Sequence, residues 1–327
     1  MNDNLNWAVI GTGVMANEMA QAFQKMGRNL YAVGNRTYEK AVAFAEKYNI
    51  KIVYKQIDEV FEDSNVDIIY IATPHNTHYQ FMKKALENGK HLLIEKSITL
   101  NSRELDEMIA LANRQNLILA EAMTIWHMPL YKKLWNIVKN GELGKVQLIT
   151  MNFGSFKEYD MKNRFFNMNL AGGAMLDIGV YALSIVRSFM DKKPEEIVSQ
   201  WKPSPAGSDE QATILLKNSS GQMATVALSL HSKQPKRAVI SCEKGYIEIM
   251  EYPRAEQAII VDAKTGDTRK ITDGHTSDAV YYEICDMEYA VLNNDTSALC
   301  LEYSKDVMDI MTKLRKDWNM QYPNEVW

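Results

Sequence analysis

Trp7-Ala8-Val9-Ile10-Gly11-Thr12-Gly13-Val14-Met15-Ala16 is an apolar strand that runs into a glycine turn and straight on into a helical pattern. Gly11 permits the tight bend, Gly13 lets backbone N–H groups approach a pyrophosphate, and Ala16 is small enough for the new helix to pack on the strand. The helix N-terminus adds the positive end of its dipole for the phosphates. A Gly-x-Gly-x-x-Ala spacing by itself also occurs at ordinary strand–helix corners, so its context decides. Here Met15, Met19, Ala20, Phe23 and Met26 form a helical stripe that stops at Gly27, a natural C-cap. A second strand at Leu30 to Val33 closes a βαβ unit, which makes the turn a nucleotide site with Gly11, Thr12, Gly13, Val14 and Met15 against the cofactor.

The same alternation continues outward. From Leu5 to about Ala122 short apolar runs alternate with helical patterns, the rhythm of a doubly wound parallel sheet. A helix near Tyr38 to Lys47 has Thr37 as its N-cap. Strands follow at Lys51 to Tyr54 and Asp67 to Thr73, with a short helix at Ile57 to Phe61 between them, and Pro74 breaks the run. A helix at Tyr79 to Asn88 leads to the strand His91-Leu92-Leu93-Ile94, which delivers Glu95 and Lys96 at its carboxyl end. Asn101 with Glu104 reads as a capping box, and Leu117 to Glu121 as the sixth strand.

Beyond that point the rhythm changes. Pro129 opens a helix through Val138, Val146 to Phe153 is a longer strand, and a helix runs from about Gly173 to Met190. Strands then succeed one another without helices between them: Ile197 to Lys202, Gln211 to Lys217, Met223 to His231, Arg237 to Cys242, Tyr246 to Met250 and Ala258 to Val261. Short turns such as Asn218-Ser219-Ser220-Gly221 argue for an antiparallel or mixed sheet. Two helices, Ser277 to Leu292 and Ser297 to Met320, close the chain. The expected fold class is α/β: an N-terminal Rossmann doubly wound parallel sheet over residues 1–122, then a C-terminal α+β domain over 123–327 with an open, mostly antiparallel sheet and a last helix free to pack back on the first domain. Helices cover one face of such a sheet, and a second copy of the chain is the simplest cover for the other, so a homodimer or homotetramer is expected.

Composition narrows the function. With 37 basic against 41 acidic side chains, the net charge of -4 gives no reason to expect nucleic acid or an anionic membrane as partner. The start, Met1-Asn2-Asp3-Asn4, has no basic, apolar leader, and no run approaches the roughly 18 apolar residues of a spanning helix. Cys242, Cys285 and Cys300 are scattered, as befits reduced thiols, so the expected compartment is the cytoplasm. No Cys-x-x-Cys or His-Glu-x-x-His spacing occurs, and no metal is expected.

In open α/β sheets ligands sit outside the carboxyl ends of the strands. After the second strand an acid would hold the adenosine ribose of NAD, whereas a basic residue accommodates the 2′-phosphate of NADP. The chain has Gly34-Asn35-Arg36, which favours NADP, with NAD or dual use as the alternative in which Asn35 holds a 2′-hydroxyl. Thr73, Pro74, Asn76 and His78 follow the fourth strand as loop residues lining the cofactor crevice; His75 and His78 have a spacing that a metal would also accept. Lys96 is the sharpest candidate for chemistry, because a lysine at the mouth of a parallel sheet reaches a substrate hydroxyl or carbonyl. Glu95 points the opposite way in an extended segment and reads as a structural or ribose contact. Asp177 and Tyr181, four apart, share a helix face and suggest a lined cleft, although a tyrosine there also fits a packed core.

These segments together resemble the Gfo/Idh/MocA oxidoreductases, relatives of glucose-fructose oxidoreductase and inositol dehydrogenase. The resemblance runs through Gly11 to Ala16, Ala72-Thr73-Pro74-His75-Asn76-Thr77-His78, Gly89 to Lys96, Glu121-Ala122-Met123 and Gly172 to Tyr181, in order and spacing over essentially the whole chain. It implies reversible hydride transfer between NAD(P) and a hydroxyl or carbonyl of a sugar, polyol or related compound, and oligomerisation through the open sheet. It implies that Lys96 contacts the reacting oxygen, that Asp177 is the acid of an Asp-x-x-x-His/Tyr pattern, and that Tyr181 is the proton donor, as in the branch with glucose-fructose oxidoreductase and the dimeric dihydrodiol dehydrogenases. Lysine and tyrosine would then serve one nicotinamide ring. Arg164 lies where such relatives carry a substrate-loop arginine. Two departures stand out: Ser97 replaces the proline of Glu-Lys-Pro, and Trp126-His127 stand where many members have a basic residue, which alters the substrate pocket. Two alternatives remain at this stage. One is a nucleotide-binding sensor or scaffold without turnover, and the other an NAD-dependent glycoside hydrolase that turns over without net cofactor reduction.

Overall fold

The structure, a computed structural model, describes residues 5–327. The chain folds as two compact units. The first contains the residues through Thr99, Arg103–Ala122 and Val280–Leu301; the second contains Leu100–Ser102, Met123–Ala279 and Glu302–Trp327.

In the first unit β1 (Trp7–Ile10), β2 (Ala32–Gly34), β3 (Ile52–Val53), β4 (Ile68–Ile71), β5 (His91–Glu95) and β6 (Leu119–Ala122) make one parallel sheet in the order β3-β2-β1-β4-β5-β6. Strand order reverses between β1 and β4, the switch point at which doubly wound sheets hold ligands. The helices are α1 (Val14–Lys25), α2 (Tyr38–Tyr48), α3 (Asp58–Glu62), α4 (His78–Glu87) and α5 (Ser102–Gln115). β1 and β4 are buried at every position, which is why their sequences are unbroken apolar runs rather than alternating ones. α1 buries Ala16, Met19, Ala20 and Phe23, the stripe seen in the sequence, and ends with Gly27 N–H on Gln24 and Arg28 N–H on Phe23. Thr37 does precede α2, but its side chain makes no capping bond.

The second unit starts with α6 (Thr124–His127), α7 (Pro129–Lys139) and β7 (Val146–Gly154). The helix foreseen from Gly173 begins as a π-helical turn, Met175–Gly179, and becomes α-helical only in α8 (Val180–Phe189). β8 (Glu196–Pro203), β9 (Asp209–Lys217), β10 (Met223–Ser229), β11 (Gln234–Cys242), β12 (Gly245–Met250), β13 (Gln257–Asp262) and β14 (Thr268–Thr272) complete an eight-stranded sheet ordered β14-β13-β12-β11-β7-β10-β9-β8. Only β7 and β10 pair in parallel; every other neighbour is antiparallel. α9 (Ala279–Asn293) and α10 (Leu301–Asp317) end the chain. The helix that returns to the first unit is α9, not the last one: Val280, Ile284, Met287 and Ala290 pack in the core that holds Trp7, Phe23 and Tyr70. α10 stays with the second unit, where Trp318 stacks on Trp201 at 5.2 Å.

The stretch Met168–Phe189 is long and apolar enough by length and composition to cross a membrane, but 78% of its apolar 18-residue window is buried inside the protein, as in a core helix. The opposite face of the sheet is open. Register puts Lys270, Ile259, Glu248, Val239, Thr150, Thr225, Leu215 and Val198 in one row across all eight strands. Val198 is 64% and Leu215 47% exposed on it, and Leu148, Met223 and Met250 are exposed apolar residues of the same sheet.

Candidate active site

The glycine turn has the shape a pyrophosphate requires. Gly11 sits at φ +106° with its Cα so close to β4 that an added Cβ would lie 2.5 Å from the Ala72 carbonyl oxygen. Gly13, by contrast, has nothing within 4 Å of that direction, so backbone is open there for a phosphate to approach. Val14 is 76% exposed at the helix start, an apolar residue offered rather than packed. Asn17, which the sequence reading passed over, ties the turn down: its amide donates to the Gly13 carbonyl at 2.8 Å and the Thr12 carbonyl at 3.2 Å. Its oxygen accepts from Lys47 Nζ and the Tyr48 hydroxyl.

A cleft of about 620 Å3 opens over this turn. Gly11, Thr12 and Gly13 form one wall, Thr73 and Pro74 another, and Asn35, Arg36, Lys40 and Lys47 a third. The lining holds three cations and no carboxylate, with Lys47 already donating to Asn17. Asn35 donates its amide to the Thr37 carbonyl at 2.9 Å, which fixes the loop after β2 and leaves Arg36 exposed beside it. Lys40 and Lys47 were not foreseen, because solvent-facing lysines of a helix look alike until the fold turns one face to a cleft. The cleft has room for a dinucleotide, and Gly11 to Gly13, Arg36 and the two lysines are the groups on its walls that could hold phosphates.

Lys96 lies half-buried just past the end of β5, and its peptide bond to Ser97 is cis. Two histidines hold this segment by its backbone. His75 Nε2 is 3.0 Å from the Lys96 carbonyl, and His78 Nδ1 faces the Ser97 and Ile98 carbonyls at 3.1 and 3.2 Å. His78 is fully buried, and its Nε2 bonds the Thr73 carbonyl at 2.8 Å. Burial lowers its pKa although the three carbonyls pull upward. His78 is therefore a brace behind the cleft, not a cofactor contact. Of its two expected roles Glu95 takes the structural one and not the ribose contact, since its carboxylate is buried on the Tyr70 hydroxyl. That phenol is raised well above its usual range by burial and then by the Glu95 charge. Asn76 is exposed on a short turn, His75–Thr77.

In the second unit the π turn presents Asp177, and α8 presents Tyr181 one turn later. Arg164 reaches Asp177 at 3.7 Å, with the arginine 60% and the acid 14% exposed, so the arginine faces solvent over a largely covered acid. The Tyr181 ring lies 6.3 Å from that of Phe153, which meets the buried Tyr252 edge-on at 5.7 Å. Gly179 lets the helix sit this close to the sheet, because an added Cβ would be 2.9 Å from Leu228 Cδ1. Trp126 and His127 do not line an accessible pocket. Both are fully buried, and Trp126 packs on Trp135 and Tyr303 with its indole N–H on Ser304.

Comparison with known proteins agrees with both halves of the chain. Residues 5–123 match an oxidoreductase family with an NAD-binding Rossmann fold, and residues 131–248 match the GFO/IDH/MocA C-terminal domain. The sequence is 30% identical over 262 residues to the trans-1,2-dihydrobenzene-1,2-diol dehydrogenase of Xenopus laevis, covering 79% of each chain. The enzyme of that name from Xenopus tropicalis is 27% identical over 97% of this chain and 99% of its own. The fold is similar to that of levoglucosan dehydrogenase in complex with NADH and levoglucosan, with a TM-score of 0.87 and 16% identity over 96% of both chains. It is also similar to a 3-ketoreductase from Actinomadura kijaniata in complex with NADP and TDP-benzene, with a TM-score of 0.82 and 19% identity over 95% of both. Sequence identity of this order across four-fifths of the chain, on top of the sheet order and the glycine turn, makes the protein a member of the Gfo/Idh/MocA family of NAD(P)-dependent oxidoreductases.

Proposed function

We propose that the protein interconverts a hydroxyl and a carbonyl on a vicinal diol, that is a sugar, a polyol or a trans-dihydrodiol, with NADP preferred to NAD. The observation that carries this reading is Asp177 and Tyr181 at the start of one helix with Arg164 of the preceding loop 3.7 Å from the acid: a cation, an acid and a phenol suited to several neighbouring hydroxyls. The carboxylate-free wall of Arg36, Lys40 and Lys47 supports NADP. The diol dehydrogenases among the relatives support the substrate class.

When bound, the nicotinamide supplies the hydride acceptor or donor. The protein's part is positioning and proton transfer. Lys96 Nζ hydrogen-bonds the reacting oxygen. Tyr181 Oη takes the hydroxyl proton in oxidation and returns it in reduction. Asp177 holds Arg164 and orients the neighbouring hydroxyl. Arg36, Lys40 and Lys47 take the 2′-phosphate, and Gly11 to Met15 the diphosphate.

The open sheet face pairs with a second copy of the chain, giving a homodimer or homotetramer. Cys242, Cys285 and Cys300 are free thiols, which supports a reducing, cytoplasmic setting. A panel of trans-dihydrodiols, polyols and aldoses, each assayed with NADP and NAD at the nicotinamide absorbance, tests the reading. Turnover of at least one diol, faster with NADP, is expected; nicotinamide absorbance unchanged across the panel contradicts it.

A further inference from the structure

Asp209 opens β9 with its carboxyl group wholly inside the second unit. Oδ2 accepts the N–H of Met175 at 2.5 Å, the first residue of the π turn that carries Asp177 and leads to Tyr181. Oδ1 lies against Gly173, where an added Cβ would come within 2.0 Å of it and where φ is +137°. Behind this contact the Tyr322 hydroxyl donates to the Gly172 carbonyl at 2.9 Å. The Tyr322 N–H donates to Glu325, and Glu325 receives both terminal nitrogens of the buried Arg315 at 2.7 Å. A carboxyl group at this depth costs desolvation that an apolar side chain would avoid. What the acid provides is a fixed point at the first N–H groups of a helix, where negative charge is favoured.

We infer that Asp209, with Tyr322 behind it, is a positioning residue of the active site: it sets the start of the π turn and thereby the directions of Asp177 and Tyr181. The inference rests on the reading of Tyr181 as proton donor.

The charge on Asp209 changes near neutrality. Burial pushes the carboxyl up to about 7, against the pull of the Met175 N–H and the Arg315 guanidinium. The other groups around it do not titrate it away. Tyr322 is itself raised by burial, Glu325 is spent on Arg315, and Glu210 turns to the other face of β9 toward Tyr159 and Lys202. Asp177 is paired with Arg164. Because the folded pKa lies above the ordinary carboxylate value of 3.8, the folded state binds the extra proton between about 4 and 7. Stability is then full at low pH and falls as pH rises through that window. The carboxylate grips the Met175 N–H more strongly than the acid does, so kcat rises across the upper end of the same range.

The test is Asp209→Asn in the full chain, with Tyr181→Phe and Tyr322→Phe beside it. For Asp209→Asn we expect kcat to fall at least about tenfold with substrate KM and NADPH affinity changed less than about threefold, the split of a misaligned chemical step. The rise of kcat toward pH 7 disappears, and in cofactor-free protein the decline of the melting temperature between pH 5 and 7 flattens. Tyr322→Phe leaves the carboxylate in place and should lower kcat in the same direction; it decides the matter if Asp209→Asn does not fold. An inactive Tyr181→Phe beside an Asp209→Asn with wild-type kcat and pH profile, or beside a wild-type Tyr322→Phe where Asp209→Asn does not fold, overturns the inference alone. Wild-type turnover in Tyr181→Phe overturns the site reading and the inference together.

Discussion

Arg36 shows what a single residue can and cannot announce. Its place after the second strand was legible, because the rule that reads cofactor type from that position is local. Its allies Lys40 and Lys47 were not, since only the packing of α2 turns them toward the cleft. Hydrogen bonds between a charged group and a phosphate are worth about 1.5–3 kcal/mol each. Arg36→Ala is accordingly expected to weaken NADPH binding by roughly tenfold or more while NADH binding changes little, as measured by fluorescence titration; equal losses would mean that the arginine does not read the 2′-phosphate. Glu95 and His78 mark the opposite limit. Glu95 ends β5 and His78 opens the helix after β4, positions where ligand contacts occur, but the sequence carries no sign that Tyr70 lies opposite one and three carbonyls around the other. Asp209 was missed because an acid before an alternating strand looks like a solvated turn residue.

Elements were read well where the pattern is periodic and poorly where long-range contacts decide. The buried parallel strands and the amphipathic α1 and α2 were plain in the apolar spacing. β14 was not, because Thr268-Arg269-Lys270-Ile271-Thr272 buries only Ile271 and is a strand by virtue of its pairing with β13. The π turn was read as ordinary helix; no spacing in Met175 to Gly179 distinguishes the two, and what sets the turn is Asp209 and Gly173 behind it. The open face of the large sheet was inferred from a succession of strands without helices between them, and its exposed apolar residues give that inference a test. Carboxylates at Val198 and Leu215 on adjacent strands would face their own copies across a symmetric interface, where like charges repel. The double variant Val198→Asp/Leu215→Asp is expected to run as a monomer by light scattering while wild type runs as a dimer or larger. A wild-type monomer would contradict oligomerisation by this face.

At the scale of the whole molecule, the chain is two units, each legible in outline from the rhythm of its elements. The sequence boundary at residue 122 left out the return of α9 to the first core, since nothing local to the helix Ser277 to Leu292 says which core Val280, Ile284 and Met287 join. The central claim of the account is that binding and chemistry reside in different residues: the glycine turn and its cations hold the cofactor, and Lys96 and Tyr181 act on the substrate oxygen. The most direct measurement is single-turnover kinetics of Lys96→Ala, Tyr181→Phe and the double variant, alongside NADPH dissociation constants for each. The account predicts a loss of about 100-fold or more in rate for each single variant, little further loss in the double, and NADPH affinity within a few-fold of wild type. Single-turnover rates within about tenfold of wild type in either single variant would contradict it.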